Sequence, residues 1–167
     1  MAVKGSVPAQ GVIVPHLVVR DAAVAIQFYE RAFSAKVLFR SPSPSGNGEH
    51  IHLKVWDSLI QVSTEEPRQR AEKAEGALLA SPQTLSGSTC VFQVAVADVD
   101  VAFKRAVDQG AVPVLPPTDM FWGDRYSWIS DPFGHVWALS TIKEVLSPEQ
   151  IEERLRGFTA HAKGQTT

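Results

Sequence analysis

Hydrophobic and polar positions along the first part of the chain change between a period typical of strands and one typical of helices. Residues 12–19 are apolar and β-branched except at His16, which is typical of a strand. Asp21 is then placed to cap a helix whose apolar residues recur at helical spacing: Ala22, Ala25, Ile26, Tyr29 and Phe33. Further extended runs follow at residues 36–40, 49–56 and 58–63. The pattern predicts a βαβββ unit.

The same order of elements returns in the second half of the chain. The predicted elements are a strand at 89–97, a helix capped by Asp98 and ended by Gly110, and strands at 112–115, 124–130 and 135–140. A constant shift superposes the two halves and pairs, for example, Val14 with Val91. The sequence therefore predicts two tandem βαβββ modules, at residues 12–64 and 89–142.

The remaining segments are predicted to flank or connect these modules. Residues 65–88 are polar and charged and contain prolines, so we expect a connector with one helical turn around residues 68–74. Residues 1–11 are predicted to be an N-terminal tail. A Ser-Pro-Glu-Gln sequence favours a helix start, so residues 143–167 are predicted to be a C-terminal helix and tail.

Composition narrows the class of protein. A chain of 167 residues can bury a core that needs neither disulfides nor metal. The formal net charge of -2 gives no electrostatic reason to expect nucleic acid or an anionic membrane as a partner. Cys90 is the only cysteine, which excludes an intrachain disulfide, and we expect it to be a small buried apolar residue. Neither a signal peptide nor a membrane span is indicated, so we expect a cytoplasmic protein.

Three segments carry a resemblance to a known family: "VPHLVVRDAAVAIQFYERAFSAKVLF", "FQVAVADVDVAFKRAVDQGAVPVLPPTDMFWGDRY" and "SDPFGHVWAL". They resemble the vicinal oxygen chelate superfamily of glyoxalase I, bleomycin-resistance proteins and extradiol dioxygenases, and within it the PhnB-like branch. The resemblance implies an α+β fold in which two βαβββ modules form half-barrels around a cleft. It also implies a homodimer.

The resemblance also implies where a metal would bind. In glyoxalase-like enzymes each module supplies one ligand from its first strand and one carboxylate from its last strand, and the metal acts as a Lewis acid. The matching positions here are Val14, Gln61, Val91 (Phe92 if the register slips by one) and Ala138. Valine, phenylalanine and alanine cannot bind a cation, and glutamine is a weak donor. We therefore expect no metal, no cofactor and no catalytic residue.

Histidines offer a second set of candidate ligands. Strand alternation and a tight two-residue hairpin would place His16, His50 and His52 on the same face as Gln61. Two interpretations stay open at this point. The imidazoles either line the cleft and form hydrogen bonds with neighbours or a ligand, or they form a zinc site with unfamiliar spacing.

The same hairpin reasoning, applied to the Asp-Pro-Phe-Gly turn, places one set of side chains on the side of Ala138: Arg125, Ser127 and Ile129. Tyr126 and Trp128 are then expected on the opposite side. Arg125 could bind an anionic ligand or form a salt bridge with Asp124, Asp119 or Asp131.

These considerations favour a small-molecule binder that needs no metal, with an aromatic ligand and a role such as sequestering a drug or toxic metabolite. The predicted ligand-binding residues are His16, His50, His52, Trp56, Gln61, Trp122, Arg125 and Ala138. One alternative is a metal-dependent lyase or dioxygenase that uses His16, His50 and His52. Another is a dimeric partner-binding module with a vestigial cleft.

Overall fold

A computed structural model describes residues 13–43, 46, 48–66 and 80–164, with the backbone alone described for residues 159–164. The predicted tail at 1–11 and the predicted helical turn at 68–74 lie outside these residues. The first half of the chain contains β1 (His16–Val19), α1 (Ala22–Phe33), β2 (Lys36–Pro42), β3 (Glu49–Val55) and β4 (Ser58–Thr64).

The second half repeats this order after a short helix. Its elements are α2 (Pro82–Leu85), β5 (Val91–Ala95), α3 (Val99–Asp108), β6 (Val112–Asp119), β7 (Asp124–Ser130), β8 (Val136–Ile142) and α4 (Pro148–Gly164). The α+β fold with two βαβββ modules and a C-terminal helix is therefore confirmed.

Each module forms one four-stranded sheet. The strand orders are β1-β4-β3-β2 and β5-β8-β7-β6. In each sheet the first and last strands of the module, β1 and β4 or β5 and β8, are parallel neighbours. All other neighbouring strands are antiparallel. The sheets stay open, whereas the sequence resemblance implied half-barrels that together enclose a cleft.

The two long helices begin in the same way because the sequence repeats the same cap. The Asp21 side chain accepts a hydrogen bond from the backbone N–H of Val24, and Asp98 does the same for Val101. Helix α1 ends at Ser34, which has a left-handed backbone conformation with φ of 54°. This conformation favours glycine, so serine is a local departure from the usual helix end.

Each helix covers one face of its own sheet, and α1 also contacts α3. The core between them is rich in aromatic rings from both modules. The rings of Phe33 and Trp137 lie 4.9 Å apart, and Tyr29 lies 5.9 Å from Trp137 and 6.0 Å from Phe133. We call the sheet face opposite the helices the open face of each sheet.

Helix α4 contacts the second module and the segment that follows it. Arg154 forms an ion pair of 2.7 Å with Glu144, and the ring of Phe158 lies 5.7 Å from that of Phe121. Within the described part of the chain, no helix combines the length and apolar character that crossing a membrane requires.

Candidate functional site

The open face of the first sheet brings the predicted histidines together. His16 and His52 both pair with Gln61 in the sheet register, and His50 pairs with Ser63. Val55 pairs with Ser58, so β3 and β4 are joined by the two-residue turn that the sequence predicted. The prediction that these histidines share a face with Gln61 is therefore confirmed.

His16, His50 and His52 form a continuous group that we call the histidine patch. The Nε2 atoms of His50 and His52 are 3.2 Å apart, and the ring centroids of His16 and His50 are separated by 5.2 Å. Nε2 of His16 lies 2.9 Å from the Ser63 hydroxyl. Burial lowers the pKa of His16, and positive charge on the other two imidazoles lowers it further.

The family's metal positions do not fit a metal ion in this chain. Val14, Val91 and Ala138 offer no donor atom, which leaves only the amide of Gln61. Moreover, no group of three or more His, Cys, Asp or Glu side chains within the described residues is arranged to hold a metal ion. The chemistry of this face is therefore that of imidazole, amide and hydroxyl groups.

The open face of the second sheet differs from the sequence prediction. Trp128 pairs with Ala138 and Tyr126 pairs with Ser140, so these two aromatic side chains lie on the side of Ala138. The side chains that were predicted to face the cleft lie instead on the opposite side, toward the helices. They are Arg125, Ser127 and Ile129, whose register partners in β8 are Thr141, Leu139 and Trp137. The predicted sides were therefore wrong for this strand.

Turn length explains the error. Ser130 pairs with Val136, so the five residues 131–135 separate the paired positions, whereas the prediction assumed a two-residue turn. An odd number of intervening residues pairs even positions with even positions and reverses the faces. Gly134, with φ of 90°, adopts the left-handed conformation inside this turn.

Aromatic side chains form a continuous row along the second open face and the loop beside it. Centroid distances are 6.4 Å from Trp128 to Tyr126, 5.4 Å from Tyr126 to Trp122, and 4.9 Å from Trp122 to Phe121. We call these four residues the aromatic row. Trp122 was predicted to line the cleft. Tyr126 and Trp128 were not, because the two faces of β7 were assigned the wrong way round.

Ala138 lies on the second open face but is inaccessible. It pairs with Gln93 on one side and Trp128 on the other, and none of its surface is exposed. The prediction that Ala138 contacts a ligand is therefore not supported by its burial. A small side chain at this position leaves room for the larger aromatic neighbour.

Arg125 is held by carboxylates on the helix-facing side. Its guanidinium contacts Asp100 of α3 at 2.6 and 2.8 Å and Asp119 of β6 at 3.0 Å. This interaction lowers the pKa of Asp100. The prediction that Arg125 lies on the side of Ala138 is wrong, and the alternative of an ion pair with Asp119 is confirmed. Its ligand-binding role stays a prediction.

Trp56 also lies away from the histidine patch. It occupies the turn between β3 and β4 with φ of 49°, and its ring lies 4.9 Å from that of Phe33 in α1. The prediction that it lines the cleft is wrong because the turn directs the side chain toward the core instead of continuing the alternation of β3.

A cavity of about 200 Å³ lies where the two modules meet beside α2. Its walls include His16, Val18, Leu85, Cys90, Phe92 and His135. Cys90 is exposed, in contrast to the expectation that it is buried. Sequence reasoning missed this cavity because it depends on how α2 packs against β1.

Comparison with known proteins adds a family match. The chain matches the Glyoxalase/Bleomycin resistance protein/Dioxygenase superfamily over residues 11–139. It is 37% identical over 138 residues to the uncharacterized protein Mb0911c of Mycobacterium bovis. The matched residues make up 83% of this chain and 88% of that protein.

Solved structures resemble the fold. TioX from Micromonospora sp. ML1 has a TM-score of 0.60 at 26% identity, over 79% of this chain and 98% of that chain. The fosfomycin resistance protein FosX from Mesorhizobium loti has a TM-score of 0.53 at 18% identity, over 79% of this chain and 92% of that chain. The likeness to FosX is one of fold alone.

Proposed function

Because the chain belongs to the Glyoxalase/Bleomycin resistance protein/Dioxygenase superfamily, we propose that it binds an aromatic small molecule on its open sheet faces without a metal ion. The observation that carries this proposal is the aromatic row, in which Trp128 is the neighbour of Ala138. Flat aromatic rings stack on such side chains and tolerate many ligand shapes. The proposed ligand is therefore a planar aromatic compound.

The side chains at the family's metal positions support the proposal that binding needs no metal ion. The positions that hold the family's metal offer only the weak amide donor of Gln61, so Lewis-acid activation of a substrate has no support from these residues. Sequestration of a drug or toxic metabolite is the proposed role. FosX is named as a resistance protein, which is in keeping with this role. Membership of the PhnB-like branch is a further proposal that rests on the FWGDRY and DPFGHVW motifs.

We also propose a homodimer in which a second copy packs against one end of the second open face, beside the aromatic row. Val91 and Val112 lie on the second open face in one cross-strand row, which runs through Val136 and Ser130, and they are 41% and 59% exposed. Exposed apolar side chains that cluster on one surface favour association. A formal net charge of -2 gives little repulsion between two copies.

A fluorescence titration with N-phenyl-1-naphthylamine, a neutral aromatic probe, tests the binding proposal. We expect saturable binding at about one probe per chain. Trp128→Ala is expected to weaken binding about two- to thirteenfold, because an aromatic pair contributes ~0.5–1.5 kcal/mol. Trp128→Phe retains a ring and should retain most of the affinity.

Trp56→Phe is the matched control, since Trp56 packs on Phe33 away from the aromatic row. Its affinity should equal that of the unaltered protein. The proposal fails if the probe does not bind to saturation, or if Trp128→Ala binds as tightly as Trp56→Phe.

A further inference from the structure

The aromatic row continues beyond the second sheet to a pocket beside helix α4. Phe121, at the end of the row, has its ring centroid 5.7 Å from that of Phe158 in α4. These rings border a cavity of about 470 Å³, a size within the ~300–1,000 Å³ of pockets that hold drug-sized ligands. We call this cavity the α4 pocket, and its walls are Asp119, Met120, Phe121, Arg154, Gly157 and Phe158.

One face of α4 forms half of the α4 pocket. Arg154, Gly157 and Phe158 follow the spacing i, i+3, i+4, which places residues on the same side of a helix. Glycine leaves its part of the wall open, because no atom of the described residues lies within 4 Å of the place where its Cβ would stand. Phe158 is 49% exposed, so its ring offers an apolar surface to a ligand.

The opposite wall is a turn with a fixed shape. The backbone N–H of Gly123 donates to the Met120 carbonyl at 3.0 Å and closes the turn. Gly123 has φ of 100°, and a Cβ atom there would lie 2.5 Å from the Glu144 carbonyl oxygen. Phe121 and Trp122 are therefore held in position before a ligand binds, which lowers the entropic cost of binding.

The charged side chains of the α4 pocket already have partners of opposite charge. Arg154 forms its ion pair with Glu144 at 2.7 Å, and Asp119 accepts a hydrogen bond of 3.0 Å from Arg125. An ionic group of a ligand would compete with these contacts, whereas an uncharged ring packs on Phe158 without disturbing them. The α4 pocket therefore favours an uncharged aromatic ring.

The aromatic surface is longer than a small ring system. From Trp128 through the aromatic row to Phe158, neighbouring ring centroids are 4.9–6.4 Å apart. A bicyclic compound stacks on about two of these side chains and leaves the others in contact with water. A longer compound would cover more of the row and also reach the α4 pocket.

We propose that the ligand is an elongated, uncharged aromatic compound of several fused or linked rings, which extends from the aromatic row into the α4 pocket. Gly157 and Phe158 then determine the length of the compound that is accepted. This inference rests on the proposed function, since it names the size and chemical class of the same ligand.

Two uncharged dyes of different length test this inference. N-phenyl-1-naphthylamine is the shorter, and Nile red, a tetracyclic dye, is the longer and is excited at wavelengths where the shorter dye does not absorb. Both are titrated into the full-length, chelator-treated protein. We expect about one site per chain for each dye. Nile red should displace the shorter dye, because both lie on the aromatic row.

Gly157→Leu fills the α4 pocket from the helix side. Leucine has a higher helix propensity than glycine, so the variant should unfold at the same temperature as the unaltered protein or at a higher one. Its affinity for Nile red should nevertheless fall, and by a larger factor than its affinity for the shorter dye. Such a loss of binding without a loss of stability does not come from misfolding.

Phe158→Ala removes a ring from the same wall and should weaken Nile red binding about two- to thirteenfold. Glu152→Leu is the matched control for Gly157→Leu. It adds the same side chain to α4 at an exposed position two residues before Arg154, on the side of the helix away from the α4 pocket. We expect Glu152→Leu to bind both dyes as the unaltered protein does.

The inference is overturned if Nile red does not bind to saturation, or if Gly157→Leu binds it as tightly as Glu152→Leu. It is equally overturned if Gly157→Leu weakens binding of the two dyes by the same factor, or if both dyes bind together without displacing each other. In each of these cases, saturable binding of N-phenyl-1-naphthylamine that depends on Trp128 would still support the proposed function, so the two failures can be told apart.

Discussion

The phenol of Tyr29 in α1 donates a hydrogen bond of 2.7 Å to Oδ2 of Asp131, which lies 102 residues further along the chain. The same oxygen accepts a bond of 3.0 Å from the indole N–H of Trp137. Oδ1 accepts the backbone N–H groups of Phe133 and His135, each at 2.9 Å. The Asp-Pro-Phe-Gly turn therefore joins the two modules through one buried carboxylate.

Loss of the Tyr29 hydroxyl should weaken this junction. Tyr29→Phe leaves the buried Asp131 carboxylate with one hydrogen bond fewer, and bonds to charged groups contribute ~1.5–3 kcal/mol. We expect the free energy of unfolding in urea to fall by about that amount. Tyr126→Phe is the control, since within the described residues its hydroxyl forms no hydrogen bond. Equal stability of the two variants would contradict this account of the junction.

Two buried serines should respond to alanine in opposite directions. The Ser127 hydroxyl is buried with no hydrogen-bond partner among the described residues, whereas Ser81 donates to Glu65 at 2.7 Å and caps α2. Removing an unsatisfied group avoids its desolvation cost, so Ser127→Ala should raise the free energy of unfolding by about 1 kcal/mol. Ser81→Ala should lower it by about 1 kcal/mol. Thermal unfolding of both variants would settle the sign, and destabilisation by Ser127→Ala would contradict the prediction.

Acid should destabilise the junction through His135. Burial lowers the pKa of His135 below its ordinary value of 6.5, while its Nε2–H donates to the Val18 carbonyl. The unfolded chain therefore binds a proton at this imidazole more readily than the folded chain does. The contribution of His135 to the free energy of unfolding is fully present above pH 6.5 and is lost as the pH falls toward the folded-state pKa. His135→Gln retains an N–H donor without this titration. The free energy of unfolding should therefore fall less between about pH 7.5 and 5.5 in His135→Gln than in the unaltered protein. An equal fall in both proteins would show that the acid effect does not come from His135.

Oligomeric state should depend on the open faces. Light scattering coupled to size-exclusion chromatography is expected to give the mass of a dimer. Val112→Asp places a charge on the second open face and should yield a monomer. Val24→Asp is the control, because Val24 is similarly exposed, at 51%, but lies on α1. A monomeric unaltered protein, or dissociation by both variants, would contradict the proposed dimer.

Two hairpins show where sequence reasoning succeeded and where it failed. The repeat, the caps at Asp21 and Asp98 and the two-residue turn after Val55 are local patterns, so the βαβββ order and the histidine face were predictable. The turn at 131–135 contains an odd number of residues, and no local pattern of residues reveals that number. The odd number of intervening residues, in place of the even number assumed, exchanged the faces of β7.

Contacts distant in sequence account for the other differences. Arg125 pairs with Asp100 because α3 packs against β7, and strand alternation alone carries no information about that helix. Trp56 contacts Phe33 for a similar reason, since the turn that holds it packs on α1. These contacts are set by tertiary packing, which a local pattern does not encode.

The most direct test of the central claim is a titration of chelator-treated protein with N-phenyl-1-naphthylamine, with metal content determined on the same sample by elemental analysis. The account predicts saturable binding by protein that contains no metal, with affinity unchanged when zinc, nickel or iron(II) is added back. Binding that appears only with about one metal ion per chain, and is lost in the double variant His50→Gln, His52→Gln, would contradict it. That result would direct attention to lyase or dioxygenase chemistry at the histidine patch.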